Sequence, residues 1–149
     1  MIILNSNSIL SNINTLLSDY KNNVSERMIF DILGNTVAST GERITEEYHD
    51  NLDFYKEENI SLKDYYNMEY DSVFEEILES TFDKITDDVC WSIVYTARYS
   101  SNIKLKNALD NIDLDTTDFM FGSSHGVNSL NEFMRKLAMN IIINLAHKE

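Results

Sequence analysis

The sequence predicts an all-α bundle, and three observations carry that reading. Proline is absent and glycine occurs only four times. Apolar residues recur at steps of three and four along most of the chain, and Ser- or Thr-headed capping patterns stand just ahead of several of those runs. With the usual chain punctuators missing, helices joined by short polar turns are the favoured arrangement. The chain has 149 residues, 43% hydrophobic and 25% charged, enough for a single domain over 1–149 with a sizeable core.

The first run, Leu10, Ile13, Leu16 or Leu17 and Tyr20, marks a helix from about Ile9 to Tyr20 that ends at Asn22-Asn23. A long second helix opens with Ser25 as N-cap, and Ile29, Leu33, Val37, Ile44, Tyr48 and Leu52 fall on one stripe of it. Gly34 and Gly41 lie inside, each costing roughly 1 kcal/mol against alanine. Their presence predicts close packing against another element, or a bend near Gly34. Ser61-Leu62-Lys63-Asp64 reads as a capping box opening a short helix with Tyr65 and Tyr66. Ser72-Val73-Phe74-Glu75 reads as a second box, launching Phe74, Ile77, Leu78 and Phe82. Thr86 or Asp87 caps a helix carrying Val89, Trp91, Val94, Tyr95 and Ala97, whose scarcity of charge suits a central, enclosed position. Leu105, Leu109, Ile112 and Leu114 indicate a further helix, and Phe119-Met120-Phe121 a short one. Gly122 to Gly126 forms a loop. Ser129-Leu130-Asn131-Glu132 caps the last helix, striped by Phe133, Leu137, Ile141 and Leu145.

The net charge of −13 opposes phosphate backbones and anionic lipid surfaces, which argues against nucleic-acid binding and membrane docking. Cys90 is the only cysteine, so neither an intramolecular disulfide nor a multi-cysteine zinc site is expected. The start, Met1-Ile2-Ile3-Leu4-Asn5, lacks the pattern of a signal peptide. The two Asn-X-Ser matches, at Asn23 and Asn59, are therefore read as chance. No segment supplies the ~20 apolar residues of a membrane span, which points to a soluble intracellular chain with no membrane anchor of its own. Glu46, Glu47, His49 and Asp50 are the nearest thing to an acid–base or metal cluster, but neighbours one and two apart point to different helix faces. His125 and His147 have no nearby cysteine, and Ser123-Ser124-His125 carries no nucleophile signature. The expectation is a protein that is not an enzyme, with no catalytic residue, metal or cofactor.

Three segments resemble the signature regions of the Bcl-2 family. Val37 to Leu52 is similar to the BH3 segment, with Val37, Gly41, Glu42, Ile44, Tyr48 and Leu52 in the characteristic places. Ile85 to Val94 resembles BH1 and keeps Asp87, Val89, Trp91 and Val94. Asp88 and Ser92 stand where the family has glycines, Cys90 where it has asparagine, and Ile93 where it has arginine. Gly126-Val127-Asn128-Ser129-Leu130-Asn131-Glu132-Phe133 is similar to BH2, with valine in place of tryptophan. The three together span under a third of the chain. The Asn/Ile/Tyr/Asp-rich composition and the divergence resemble the Bcl-2 homologues of large DNA viruses, poxviruses above all.

The resemblance implies a bundle of seven or eight helices around a central apolar one, with a surface groove that takes an amphipathic BH3 helix by its apolar face. It implies Ile44, Tyr48, Asn51, Leu52 and Tyr55 as one wall, and Tyr65, Phe74, Ile77 and Leu78 as the other. Val89, Ser92, Ile93, Tyr95 and Thr96 would form the bed. Val37, Gly41, Glu42, Trp91, Val94 and Gly126 would be structural signature positions. With isoleucine at 93, the ligand aspartate that pairs with the family's arginine needs another cation. Arg98 is about 7.5 Å and roughly 140° away along the helix, so Arg43 is the nearest candidate. The implied partners are BH3 motifs of host cell-death proteins of the Bim, Bax and Bak kind, with a homodimer as a further expectation. The implied place of action is the host cytoplasm, with recruitment to mitochondria. A second use of the same viral fold is antagonism of innate-immune, NF-κB-type signalling adaptors through an outer face.

Overall fold

A computed structural model describes residues 25–114, 119 and 127–147. These contain six helices: α1 (Glu26–Asp50), α2 (Leu52–Glu57), α3 (Leu62–Asp83), α4 (Asp87–Arg98), α5 (Ile103–Asp110) and α6 (Leu130–Ala146). No β-strand occurs among the described residues, so the all-α expectation holds. The helix expected at Ile9–Tyr20, the 122–126 loop and most of the Phe119–Phe121 helix lie outside the described residues. The chain divides into two compact units, one made of Met1–Phe30 and Ile85–Glu149, the other of Asp31–Lys84.

In the Asp31–Lys84 unit, α1 buries Thr36, Thr40, Ile44 and Tyr48. The expected stripe through Leu33 and Val37 is corrected here, since Leu33 is only half-buried and Val37 is 38% exposed. The inward positions go to two threonines whose hydroxyls donate back to their own helix, Thr36 to Ile32 O and Thr40 to Thr36 O, both at 2.7 Å. Bonded that way, a threonine enters an apolar interior without a stranded polar atom. Helix α1 also stops sooner than the stripe to Leu52 implied. Asn51 leaves the helical conformation (φ −122°, ψ 29°) and its side-chain amide donates to Glu47 O at 3.2 Å. The short α2 follows.

The α2–α3 turn uses Asn59 at φ 59°, a left-handed conformation that asparagine tolerates better than most residues. Ser61 then forms the expected reciprocal capping box with Asp64, its hydroxyl accepting from Asp64 N at 3.1 Å while the carboxylate accepts from Ser61 N at 3.3 Å. Two separate helices were expected between 61 and 83, and the structure has one. Ser72 is an exposed mid-helix residue because no breaker precedes it, and the apolar run Tyr66, Tyr70, Phe74, Ile77 or Leu78, Phe82 continues past it. A Ser-x-x-Glu pattern initiates a helix only where the preceding chain has already left one.

The other unit is assembled on α6, against which α4 and α5 both pack. Phe133, Met134, Leu137, Ala138, Ile141, Ile142 and Leu145 form its buried face. Thr86 caps α4 by accepting from Val89 N at 3.3 Å. Asn102 caps α5, accepting from Lys104 N at 3.0 Å and Leu105 N at 3.4 Å. Helix α5 ends at Asp110, so Ile112 and Leu114 lie beyond it. Ser129 accepts from Glu132 N at 3.1 Å, while the Glu132 carboxylate reaches one residue further back than in a standard box, to Asn128 N at 2.9 Å. Phe119 is buried and meets Phe133 edge to face at 5.7 Å. Among the described residues, no helix is long and apolar enough to cross a membrane.

Among the described residues, Gly34 does not mark close packing. A Cβ built there meets nothing within 4 Å among the described residues. Gly34→Ala is therefore expected to raise unfolding stability by up to about 1 kcal/mol. That corresponds to a thermal midpoint roughly 2–4 °C higher, measurable by circular dichroism.

Candidate functional site

Nine of the candidate groove residues belong to the Asp31–Lys84 unit and five to α4. In the first unit, Ile44, Tyr48 and Tyr65 share a core cluster with Val73, and Leu52, Tyr55 and Ile77 pack against it. Three tyrosines form its centre. Tyr48 and Tyr55 stack with ring centroids 5.2 Å apart and planes 7° from parallel, and Tyr65 leans on Tyr55 at 4.7 Å. Each buried phenol needs a partner. Tyr48 donates to Ile60 O at 2.8 Å, which ties α1 to the turn ahead of α3, and Tyr65 donates to Glu47 at 3.2 Å. The Tyr55 hydroxyl, burial and the Glu47 carboxylate together hold the Tyr65 phenol well above its usual range. Phe74 stacks on Tyr70 at 5.9 Å, and Phe74 and Leu78 are buried. Asn51 is exposed.

On α4, Ser92, Ile93 and Thr96 are buried, whereas Val89 and Tyr95 are half-buried. The apolar wall and bed positions therefore differ in what they offer a ligand. Leu52, Tyr55, Ile77, Val89 and Tyr95 present surface, and Ile44, Phe74, Leu78 and Ile93 present at most 1% of theirs.

The BH1-like and BH2-like stretches meet in space. The Trp91 indole donates to Asn131 Oδ1 at 2.9 Å across forty residues of sequence. Arg135 donates to Ile85 O and to Asp87 Oδ1, both at 2.8 Å, joining the second turn of α6 to the start of α4. Sequence reasoning missed Arg135. The one arginine of a helix with a long apolar face, with two acids opening α4, was the signal available. Val94 is buried, and Gly126 lies outside the described residues.

The BH3-like stretch splits along its length. Its second half, Ile44 and Tyr48, is interior, while its first half faces an open cleft lined by Val37, Ala38, Gly41, Glu42, Thr45, Glu46 and Tyr66. The nearest atom to a Cβ at Gly41 is the Tyr66 hydroxyl, at 3.8 Å. Arg43, the cation expected to receive a ligand's acid, is engaged by Glu47 at 3.1 Å and Glu76 at 3.2 Å. Those two hydrogen-bonded carboxylates raise its pKa further.

Cys90 is fully buried, and burial pushes its thiol up to about 11, with Asp87 adding to the rise and Arg135 opposing it. Relative to an ordinary thiol near 9.0, the native thiolate fraction at pH 8 is lower by about a hundred-fold. Labelling by a disulfide reagent at pH 8 is expected to be at least that much slower in native protein than in urea. Because the folded value lies above the unfolded one, Cys90's contribution to stability is whole below pH 9 and is lost as the pH climbs toward 11. Ile93 is 0% exposed, so restoring arginine there would bury a charge. Ile93→Arg is expected to destabilise by several kcal/mol, seen as a large fall in denaturation midpoint, whereas Ile93→Leu costs about 1 kcal/mol.

No family model, curated protein or solved structure matches this chain.

Proposed function

We propose that this chain is an inhibitor of host intrinsic apoptosis that captures amphipathic BH3-type helices of the Bim, Bax and Bak kind. The observation that carries the reading is the junction of the BH1-like and BH2-like stretches. Two sequence-distant segments that resemble one family's signatures are joined by the Trp91–Asn131 bond, and Arg135, two residues past the second of them, adds a bond to Asp87. Supporting it, the BH3-like stretch is helical from Val37 to Asp50, and α4 buries six residues along its uncharged stretch from Val89 to Ala97.

The binding physics follows from which side chains have surface to give. In the Asp31–Lys84 unit Leu52, Tyr55 and Ile77 have apolar surface to give, and on α4 Val89 and Tyr95 do; each, being half-buried already, contributes at most about 1.5–3 kcal/mol when fully covered. Ordering a flexible peptide costs about 2–5 kcal/mol beyond the loss of free motion. Covering several such side chains at once offsets those costs. Arg43 is held by two carboxylates and position 93 is an interior isoleucine, so the ligand's acid gains little here.

A second reading, an innate-immune adaptor antagonist using an outer face, is favoured by one specific observation: Ile44, Phe74, Leu78 and Ile93 are already covered in the free chain.

Titration of the purified chain with Bim-, Bax- and Bak-type BH3 peptides separates the two. At least one peptide is expected to bind below about 10 µM. Replacing that peptide's aspartate by alanine is expected to change its affinity by less than about three-fold, the scale of an exposed ion pair. If no peptide binds below that limit, helix capture is excluded.

A further inference from the structure

We propose that the α1–α3 cleft of the Asp31–Lys84 unit is a docking site for a basic amphipathic helix, distinct from the BH3-type capture site and independent of it. The floor is apolar and low: Val37, Ala38 and Gly41 from α1, with Tyr66 of α3 beside them. Small side chains at 38 and 41 let a second helix axis come near the close end of the usual 8–10 Å packing range. Lining residues recur in pairs one helical turn apart (37 and 38, 41 and 42, 45 and 46), the repeat of α1 itself, which a helix laid along α1 can follow.

Charge identifies the occupant. Glu42 and Glu46 stand one turn apart on the same side of the cleft, both exposed, and among the described residues neither meets a cation. The neighbouring Arg43 is turned to Glu47 and Glu76 instead. Two acids at that spacing complement two Lys or Arg side chains four residues apart on a partner helix lying along α1. A second copy of this chain is a poor occupant, because it brings another −13 of net charge toward an acidic rim.

The probe is an acetylated 18-residue model helix with an Ala/Leu face and lysines at four-residue spacing, alongside the same helix with glutamates. Binding to the full chain is read by fluorescence anisotropy and by amide shifts of Ala38, Gly41 and Thr45. The lysine helix is expected to bind and the glutamate helix to fail. Ala38→Arg, an exposed helical position that accommodates arginine, is expected to weaken binding at least about ten-fold. Glu42→Gln with Glu46→Gln is expected to weaken it roughly three- to ten-fold. The control pair Glu57→Gln with Glu58→Gln removes the same charge elsewhere and is expected to leave it within about two-fold. Equal losses in both pairs, amide shifts that bypass residues 38–45, or equal binding of the two helices would each overturn the proposal. So would self-association of the chain that Ala38→Arg abolishes, which would assign the cleft to a second copy.

Discussion

Helix α6 turns seven buried side chains to one side, and α4 and α5 both close on that face. Such apolar burial is strong but non-directional, so by itself it leaves the packed helices free to rotate and slide. Directional bonds remove that freedom. Arg135 and Asn131 fasten the first turns of α6 to the start of α4, and the Asn144 amide donates to Ala108 O at 2.8 Å further along, fixing α5. The orientation of α4 follows: Cys90, Ile93, Val94 and Ala97 are inward, and Val89, Trp91 and Tyr95 keep part of their surface. What α4 can show to a ligand therefore depends on the side-chain bonds that Trp91 and Asp87 make to α6.

The Asp31–Lys84 unit solves a different problem. It has little chain with which to make a core, and it fills the space between α1, α2 and α3 with tyrosines. Each ring supplies a large apolar face, and the phenols of Tyr48 and Tyr65 end on acceptors that sit in defined places, a turn carbonyl and a carboxylate. The same carboxylate, Glu47, also receives Arg43. Structure and charge are thus linked on α1. The residue that anchors the aromatic cluster also occupies the cation nearest the BH3-like motif, so the resemblance in sequence does not carry over to a resemblance in available charge.

Local chemistry was the legible part. Ser25, Ser61, Thr86 and Ser129 all cap helices where the pattern placed them, because a cap depends on a few adjacent residues. Ser72 was misread because the same four-residue pattern also arises inside a continuous helix, where residues three apart are neighbours anyway. Val37 and Leu33 were misplaced because hydrophobicity alone ranks them above Thr36 and Thr40, and the back-bonds that make those threonines buriable leave no mark in the sequence. Exposure at the candidate groove was not legible either. A stripe on a helix states which side seeks cover, without stating what supplies it, so Ile44 and Leu52 look alike in sequence and differ in surface.

The inward threonines of α1 have one more effect. Each folds its only polar atom onto a carbonyl of its own backbone, and toward the surroundings it behaves as valine does, a branched shape with no donor aimed outward. Neighbouring side chains then have only a volume to match. That stretch of α1 therefore constrains what packs on it by shape alone, as an aliphatic surface would.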